Sequence, residues 1–367
     1  CAACVKWSVC ALLLLLCGAV GKSAVVDGMP LVQAARQPYM TVNFAMMRLF
    51  RDLARVKARR RRFNQSDARH CPVGKKRRAG KACRCGRRNL MQIGVFAKTF
   101  AGSDPMTVLM ASRKAGFDCV QYNMACSGLD ALPNEIQAEE AMQVSNAAQA
   151  TGTTIAAISA TYNMTDPDSG RRRAGRHAFN AIAAHASMMG SRILTVCSGS
   201  MDANDKWRRH SMNDDPASWN DMCREFEIIC TIADTHSLMI GVEPEPANIV
   251  SSAPRAADLL SQFPGSPIRI ILDPANLIEG IAPDRHECII DTAFERLGTM
   301  IVMAHAKDRF ANGTVAPAGK GVVDWSHFIG GLAACGFDGP LIAHGLTANA
   351  APAVANFLAA QVERTGS

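Results

Sequence analysis

Four short motifs in the sequence place a carboxylate or an imidazole directly after a run of apolar residues. The four residues are Glu243, Asp273, His305 and His344. Carboxylates and imidazoles are common ligands of Mn²⁺, Mg²⁺, Co²⁺ and Zn²⁺. If the fold brings these four side chains together, we expect them to bind one divalent metal ion. The alternative is a buried network of ion pairs without a metal.

Two further candidates lie two residues beyond members of this set. Residues two apart on a strand point to the same side, so Glu245 can join Glu243 and Lys307 can join His305. A carboxylate or an amine beside a metal ion can act as a general base or acid. We therefore count Glu245 and Lys307 among the catalytic candidates.

The segments that must position these residues alternate between short apolar, β-branched runs and helical patterns. Such alternation is typical of βα units around a parallel sheet. The pattern predicts strands at 91–96, 118–122, 154–160, 192–197, 239–243, 268–273, 300–305 and 340–344. It predicts helices at 103–115, 135–151, 174–190, 216–236, 254–262, 285–297, 325–335 and 352–363.

Eight βα units predict an α/β fold, a (β/α)₈ TIM barrel, over residues 91–367. Active sites of such barrels lie at the carboxyl ends of the strands, where the four candidate ligands stand. A doubly wound sheet is the alternative, but it needs a glycine-rich turn after its first strand. Residues 97–102 read AKTFAG and do not provide that turn.

The chain resembles the xylose isomerase-like sugar phosphate isomerases and epimerases, which are metal-dependent TIM barrels. The resemblance covers residues 91–367 and depends on the order of several motifs: MQIGVFAKTF, GFDCVQYNMACSGL, IAAISATYNM, LTVCSGSMDANDKW, IGVEPEPANIV, ILDPANL, MAHAKD and DGPLIAHGL. It implies aldose–ketose isomerisation or epimerisation of a sugar or sugar phosphate. It also implies a metal site formed by Glu243, Asp273, His305 and His344.

His344 departs from the family, in which many epimerases have a glutamate that serves as both ligand and acid/base partner. An imidazole can still bind metal and move protons near neutral pH. The resemblance implies a proton abstracted next to a carbonyl and an enediolate stabilised by the metal. We assign the base to Glu243 or Glu245, with His344 and Lys307 as further catalytic candidates.

Residues of the loop after the fourth predicted strand are candidates for substrate binding. Trp207, Arg208 and His210 occur there in KWRRH and could close over a sugar or its phosphate. A solvated polar loop is the alternative. Asn276 follows Asp273 by three residues, and we expect it to orient the substrate or a ligand.

Residues 1–90 differ sharply in charge from the remainder. They contain 20 Lys and Arg and 3 Asp and Glu, a net charge of +17, whereas residues 91–367 have a net charge of −9. We expect 1–90 to be a poorly structured basic extension, or upstream sequence preceding a functional start at Met91. The apolar run at 9–20 has the size of a signal-peptide core and is too short to span a membrane.

Composition and charge limit the partners that we expect. The acidic barrel is poorly suited to nucleic acid, and its scattered cysteines are typical of reduced thiols, which favours the cytoplasm over secretion. We also expect the chain to bind a small sugar or sugar phosphate and to form a homodimer. We expect no stable insertion into a membrane. The alternatives left open are a sugar dehydratase, an endonuclease IV-like phosphodiester hydrolase and a non-catalytic sugar-binding barrel.

Overall fold

The computed structural model describes residues 91–366 and one short strand pair near the N-terminus. In that pair, Val25–Val26 runs antiparallel to Met29–Pro30. The chain divides into two units, Cys1–Arg84 and Cys85–Ser367. Apart from the strand pair, the predicted leader and basic extension, with the apolar run at 9–20, lie outside the described residues.

Eight parallel strands form a closed barrel in the second unit. Each strand pairs with the next along the chain, and the eighth pairs with both the seventh and the first. The strands are β1 Ile93–Phe96, β2 Cys119–Tyr122, β3 Thr154–Ser159, β4 Ile193–Val196, β5 Met239–Val242, β6 Ile268–Leu272, β7 Ile301–Arg309 and β8 Leu341–Ala343. The predicted (β/α)₈ barrel is confirmed.

A helix of ten residues or more follows each strand. The helices are α1 Pro105–Lys114, α2 Ala138–Thr151, α3 Ser169–Ala186, α4 Pro216–Thr235, α5 Ala253–Gln262, α6 His286–Leu297, α7 Trp325–Ala334 and α8 Ala351–Gly366. Between residues 91 and 366, none of the helices has both the length and the apolar character needed to cross a bilayer.

Two elements differ from the prediction in ways that matter for the site. β7 continues to Arg309, because the short strand Val315–Pro317 folds back and pairs with it in antiparallel register. Lys307 therefore lies within a strand. α3 begins at Ser169 instead of 174, because the Asp168 carboxylate accepts hydrogen bonds from the amides of Gly170 and Arg171 and caps the helix.

Inside the barrel, a polar layer of side chains lies on an apolar one. The apolar layer consists of Cys119, Ala157, Ile193, Ile271, Met303 and Ile342. Residues two positions further along each strand point to the same side. They form the polar layer, which consists of Gln121, Ser159, Thr195, Asp273, His305 and His344. Stacked layers of this kind are how TIM barrels fill their interior.

Candidate metal centre

Three side chains at the carboxyl end of the barrel form a compact group of candidate metal ligands. Glu243 directly follows β5, Asp273 directly follows β6, and His305 lies within β7. Each offers one ligand atom, and these atoms lie within 4.8 Å of one another. Asp273 is 1% exposed and His305 is 2% exposed. The structure therefore brings together three of the four predicted ligands in a buried position.

Asp273 presents one oxygen that suits a metal. Its Oδ1 accepts a hydrogen bond of 2.9 Å from the Ala275 amide and caps the one-turn helix Pro274–Leu277. Its Oδ2 is buried and already faces a cation, because Lys307 Nζ lies 2.9 Å away as an ion pair. A carboxylate oxygen has two lone pairs, so Oδ2 can bind a metal ion beside Lys307.

Hydrogen bonding fixes which nitrogen of His305 faces this group. His305 Nε2 lies 2.8 Å from the side-chain oxygen of Gln121. The Gln121 amide nitrogen donates to Ser159 Oγ and Thr195 Oγ1, at 3.1 and 3.2 Å. The Gln121 oxygen is therefore the acceptor, and His305 Nε2 carries a proton. The other ring nitrogen, Nδ1, donates a hydrogen bond of 3.0 Å to Glu243 Oε1, and it becomes a ligand atom when a metal ion replaces its proton.

Asn276 connects the group to the two further catalytic candidates. Its amide nitrogen donates to Glu243 Oε1 at 2.9 Å and to Glu245 Oε2 at 2.7 Å. Its carbonyl oxygen accepts a hydrogen bond of 2.6 Å from Lys307 Nζ. Asn276 is 3% exposed, and all of these contacts are internal. The structure therefore places Asn276, Glu245 and Lys307 beside the predicted ligands.

The charges in this network shift one another's pKa values in opposite directions. Burial alone would raise the pKa of Glu243, but the neighbouring His305 and Lys307 lower it below its usual value. Burial, followed by the negative charge of Glu243, raises the pKa of Glu245 to about 7. Burial alone would lower the pKa of Lys307, but Asp273 and Glu243 raise it. One carboxyl thus favours the ionised form, and its neighbour titrates near neutrality.

His344 lies beside the group of three without belonging to it. Its ring stacks on His305, with centroids 5.2 Å apart, and on Phe96, with centroids 5.0 Å apart. Burial, and then the charge of His305, lower the pKa of His344 to about 3. Its Nδ1 is buried and has no hydrogen-bond partner. His344 is therefore a neutral imidazole with an unused nitrogen, and its role as a fourth ligand stays a prediction.

Three of the predicted substrate-binding residues lie in the loop after β4 and make contacts within the protein. Arg208 makes two hydrogen bonds, of 2.6 and 2.9 Å, to the Asp202 carboxylate. His210 Nδ1 accepts a hydrogen bond from the Met212 amide and caps a short 3₁₀ turn. Trp207 is 49% exposed. The structure assigns structural contacts to Arg208 and His210, and their role towards a substrate stays a prediction.

Two further residues support the site, and of these Gln121 was not among the predicted site residues. Gln121 lies two residues after Cys119 on β2, so the two-residue period of strands would have placed it in the barrel. Asp308 is fully buried, and its carboxylate accepts hydrogen bonds from the N–H groups of Arg309, Gly319, Gly321, Val323 and Trp325. Asp308 thereby organises the loop between β7 and α7.

Comparisons with known proteins identify the family and the fold. The family described as xylose isomerase-like TIM barrel matches residues 109–359. No curated protein matches the chain.

Three solved structures illustrate the likeness. The apo form of 3-keto-D-glucoside 4-epimerase from E. coli aligns with a TM-score of 0.58 and 15% identity, over 74% of this chain and 99% of that chain. A xylose isomerase-like TIM barrel protein from Mycobacterium smegmatis, in complex with magnesium, aligns with a TM-score of 0.58 and 13% identity, over 76% and 98%. L-ribulose 3-epimerase aligns with a TM-score of 0.58 and 16% identity, over 76% and 96%. At these identities, the likeness shows a shared fold.

Proposed function

This chain belongs to the xylose isomerase-like TIM barrel family, and on that premise we propose that it is a metal-dependent sugar or sugar-phosphate isomerase or epimerase. The observation that carries the proposal is the buried group of Glu243, Asp273 and His305 at the carboxyl end of the barrel. Two of the similar structures are sugar epimerases, and a third contains magnesium. These neighbours support the reaction class and the metal.

The residues present fit one divalent metal ion. Glu243, Asp273 and His305 would hold it through two carboxylates and the Nδ1 nitrogen of one imidazole, and His344 is the proposed fourth ligand. When bound, such an ion supplies Lewis-acid stabilisation of the negative charge that develops on the substrate oxygens. Mn²⁺, Mg²⁺, Co²⁺ and Zn²⁺ all accept this ligand set.

Proton transfer falls to Glu245 in this proposal. Its carboxylate takes the proton from the carbon next to the carbonyl, and the C–H electron pair moves into the substrate to give an enediolate. Return of the proton to the neighbouring carbon, while the hydroxyl proton passes from one substrate oxygen to the other, gives the isomer. Return to the opposite face of the same carbon gives the epimer. The shared Asn276 amide keeps Glu245 beside Glu243, and Lys307 in turn holds Asn276.

His344 is proposed as a ligand because its imidazole is neutral. It stands after β8, whereas Glu245 stands after β5, so the two approach the group of three from different strands. Burial and the charge of His305 lower the pKa of His344 to about 3, so its Nδ1 offers a lone pair to a cation and is a poor proton acceptor at neutral pH. Return of the proton to the opposite face then falls to the Lys307 ammonium, which contacts Asn276.

The proposal is tested by incubating the metal-replete full chain in D₂O with a panel of neutral sugars and sugar phosphates. We expect deuterium to enter the carbon next to the carbonyl of at least one substrate. Glu245→Gln should abolish the exchange while metal binding remains, and Asp291→Asn, a change of an exposed carboxylate on α6, should leave the exchange intact. Products of water loss would identify a lyase, and the absence of exchange across the panel would reject enolisation.

A further inference from the structure

A second feature of the carboxyl end is a cleft of about 610 Å³ beside the metal group. The loops that follow β2, β3 and β4 form it, so it opens at the same end of the barrel as Glu243 and Asp273. Its volume is within the range of roughly 300–1,000 Å³ that is typical of small-molecule sites. None of Glu243, Asp273, His305 and His344 lines it.

Trp207 gives the cleft an aromatic wall. Its side chain is 49% exposed, which is unusual for a large apolar ring, and Lys206 Nζ lies 5.4 Å from the ring centroid. Exposed aromatic rings that line a cleft frequently mark binding sites, because they present apolar area with little entropy to lose.

The backbone that carries Trp207 is held rigidly. The Asp202 carboxylate accepts hydrogen bonds from the amides of Asn204 and Asp205, at 2.9 and 3.0 Å. The Asn248 side chain donates to the Lys206 carbonyl at 2.8 Å. An exposed ring on a preorganised loop binds a ligand without first paying an ordering cost. The exposure of Trp207 is therefore built into the loop.

Two exposed asparagines line the same cleft. They are Asn134 and Asn204, one in the loop after β2 and the other in the loop after β4. A side-chain amide presents two donors and one acceptor oxygen. Hydroxyl groups donate and accept as well, so a ring that carries several of them can satisfy both amides.

The cations of the cleft are already engaged, which disfavours a phosphate. Arg171 Nε pairs with Asp166 Oδ1 at 3.1 Å. Lys206 Nζ donates to the Thr161 carbonyl at 3.0 Å. Asp205 also lines the cleft and is exposed. A phosphate would meet the carboxylates of Asp166 and Asp205, which line the cleft, whereas a neutral polyhydroxyl ring would meet no like charge.

The loop that carries Trp207 touches the loop that carries Glu245. The Asn248 side-chain amide donates to the Lys206 carbonyl at 2.8 Å, and the Asn248 backbone amide donates to the Glu245 carbonyl at 2.8 Å. The cleft and the proposed base are therefore carried by two loops in direct contact at the carboxyl end of the barrel. A substrate that reacts at Glu245 has the Trp207 loop beside it.

We propose that this cleft binds a neutral sugar ring that is attached to the reacting sugar, stacked on Trp207 and hydrogen-bonded to Asn134 and Asn204. The substrate class is then a glycoside or oligosaccharide instead of a monosaccharide phosphate. This inference rests on the proposed function, because it deepens the specificity of the same active site.

The test is calorimetric binding to the metal-replete full chain of cellobiose, maltose, lactose and sucrose, compared with D-glucose and D-glucose 6-phosphate. We expect at least one disaccharide to bind about tenfold more tightly than both glucose compounds, the change that corresponds to 1.4 kcal/mol. Trp207→Ala should remove this advantage, and Trp207→Phe should retain most of it. Trp219→Phe is the matched control, because the Trp219 ring on α4 packs against Arg255 on α5 and does not line the cleft.

Three results would overturn the inference: no disaccharide preferred over glucose, glucose 6-phosphate preferred over all four disaccharides, or a preference that Trp207→Ala leaves unchanged. Binding does not depend on turnover, so each proposal can be rejected while the other stands. Disaccharide binding through Trp207 without deuterium exchange would reject the proposed function and leave the cleft assignment. Deuterium exchange in free monosaccharides without a preference for disaccharides would reject the cleft assignment and leave the proposed function.

Discussion

A hydrogen bond of 2.8 Å joins His305 Nε2 to the side-chain oxygen of Gln121. The Gln121 amide nitrogen donates to the hydroxyls of Ser159 on β3 and Thr195 on β4. The Gln121 oxygen therefore faces His305 and accepts its hydrogen bond. As a result, His305 turns its Nδ1 towards Glu243, with which it forms a hydrogen bond of 3.0 Å, and this is the nitrogen that would bind a metal once deprotonated. Gln121 is thus a positioning residue, because it determines the ligand atom without touching the metal.

Replacing Gln121 should weaken metal binding. Gln121→Leu removes the acceptor that selects the His305 tautomer, and loss of such outer contacts typically costs roughly 10–100-fold in metal affinity. Titration of the metal-free chain with Mn²⁺ measures the change. Gln121→Glu keeps an acceptor oxygen and should bind more tightly than Gln121→Leu. An exposed glutamine on α2 provides the control Gln149→Leu, and equal affinities of Gln121→Leu and the parent would contradict the prediction.

Asp273→Asn should remove the metal while it preserves the local backbone. The amide oxygen of asparagine can still accept the hydrogen bond from Ala275 that caps the one-turn helix, but the ligand charge at Oδ2 is lost. We expect metal content by elemental analysis to fall from about one ion per chain to near zero. The circular dichroism spectrum should not change. Retention of a full metal equivalent would show that Asp273 is not a ligand.

Lys307→Met should make metal binding tighter. An ammonium 2.9 Å from Asp273 Oδ2 repels a second cation at that oxygen, so its removal should improve metal affinity about tenfold. Without metal, the same change leaves buried carboxylates uncompensated and should cost about 3–5 kcal/mol of unfolding free energy. Urea denaturation with and without Mn²⁺ checks both statements. A weaker metal affinity in Lys307→Met would contradict them.

Asp308→Ala should loosen the loop between β7 and α7. The carboxylate accepts hydrogen bonds from five N–H groups at 2.9–3.1 Å, and its loss should cost about 3 kcal/mol or more. Limited proteolysis should then cleave within residues 310–324 before other sites. Asp338→Asn changes an exposed carboxylate and is the control. An unchanged proteolysis pattern would argue against this role.

Two glycines should respond oppositely to alanine. A Cβ at Gly94 would lie 2.5 Å from Cys119 Sγ and 2.6 Å from Ile342 Cδ1, inside the barrel, so Gly94→Ala should destabilise the fold by about 1–3 kcal/mol. A Cβ at Gly330 in α7 meets nothing within 4 Å. Gly330→Ala should stabilise by about 0.4–1 kcal/mol. Thermal unfolding of both variants measures the difference, and a shift of the same sign in both would refute it.

The strand periodicity was sufficient to predict the barrel and its carboxyl end. Each of Glu243, Asp273 and His344 follows an apolar strand immediately, and a charge after an apolar run is visible in the sequence. Gln121 was missed because an uncharged polar residue inside a strand resembles an ordinary strand residue. The two-residue period that placed Glu245 and Lys307 would have found it on β2.

The sequence pattern does not predict contacts made within loops. Arg208 pairs with Asp202, and His210 caps a 3₁₀ turn, yet a loop arginine or histidine looks the same whether it meets a carboxylate or a substrate. The end of β7 was missed for a related reason. Lys307 and Asp308 interrupt its apolar pattern, and only pairing with the strand at Val315–Pro317 keeps them in the sheet.

On six of the eight strands, the reactive side chains lie in the polar layer and the residues that stabilise the fold lie in the apolar layer below it. His344 stands two residues beyond Ile342, so exchanging the imidazole for a carboxylate changes the reactive surface while the packing below it is preserved. Insertion of one residue between the two would instead turn the reactive side chain out of the barrel. Evolution of new reactions on this scaffold is therefore expected to proceed by point substitution at the polar layer and by length variation in the loops, with strand lengths held constant.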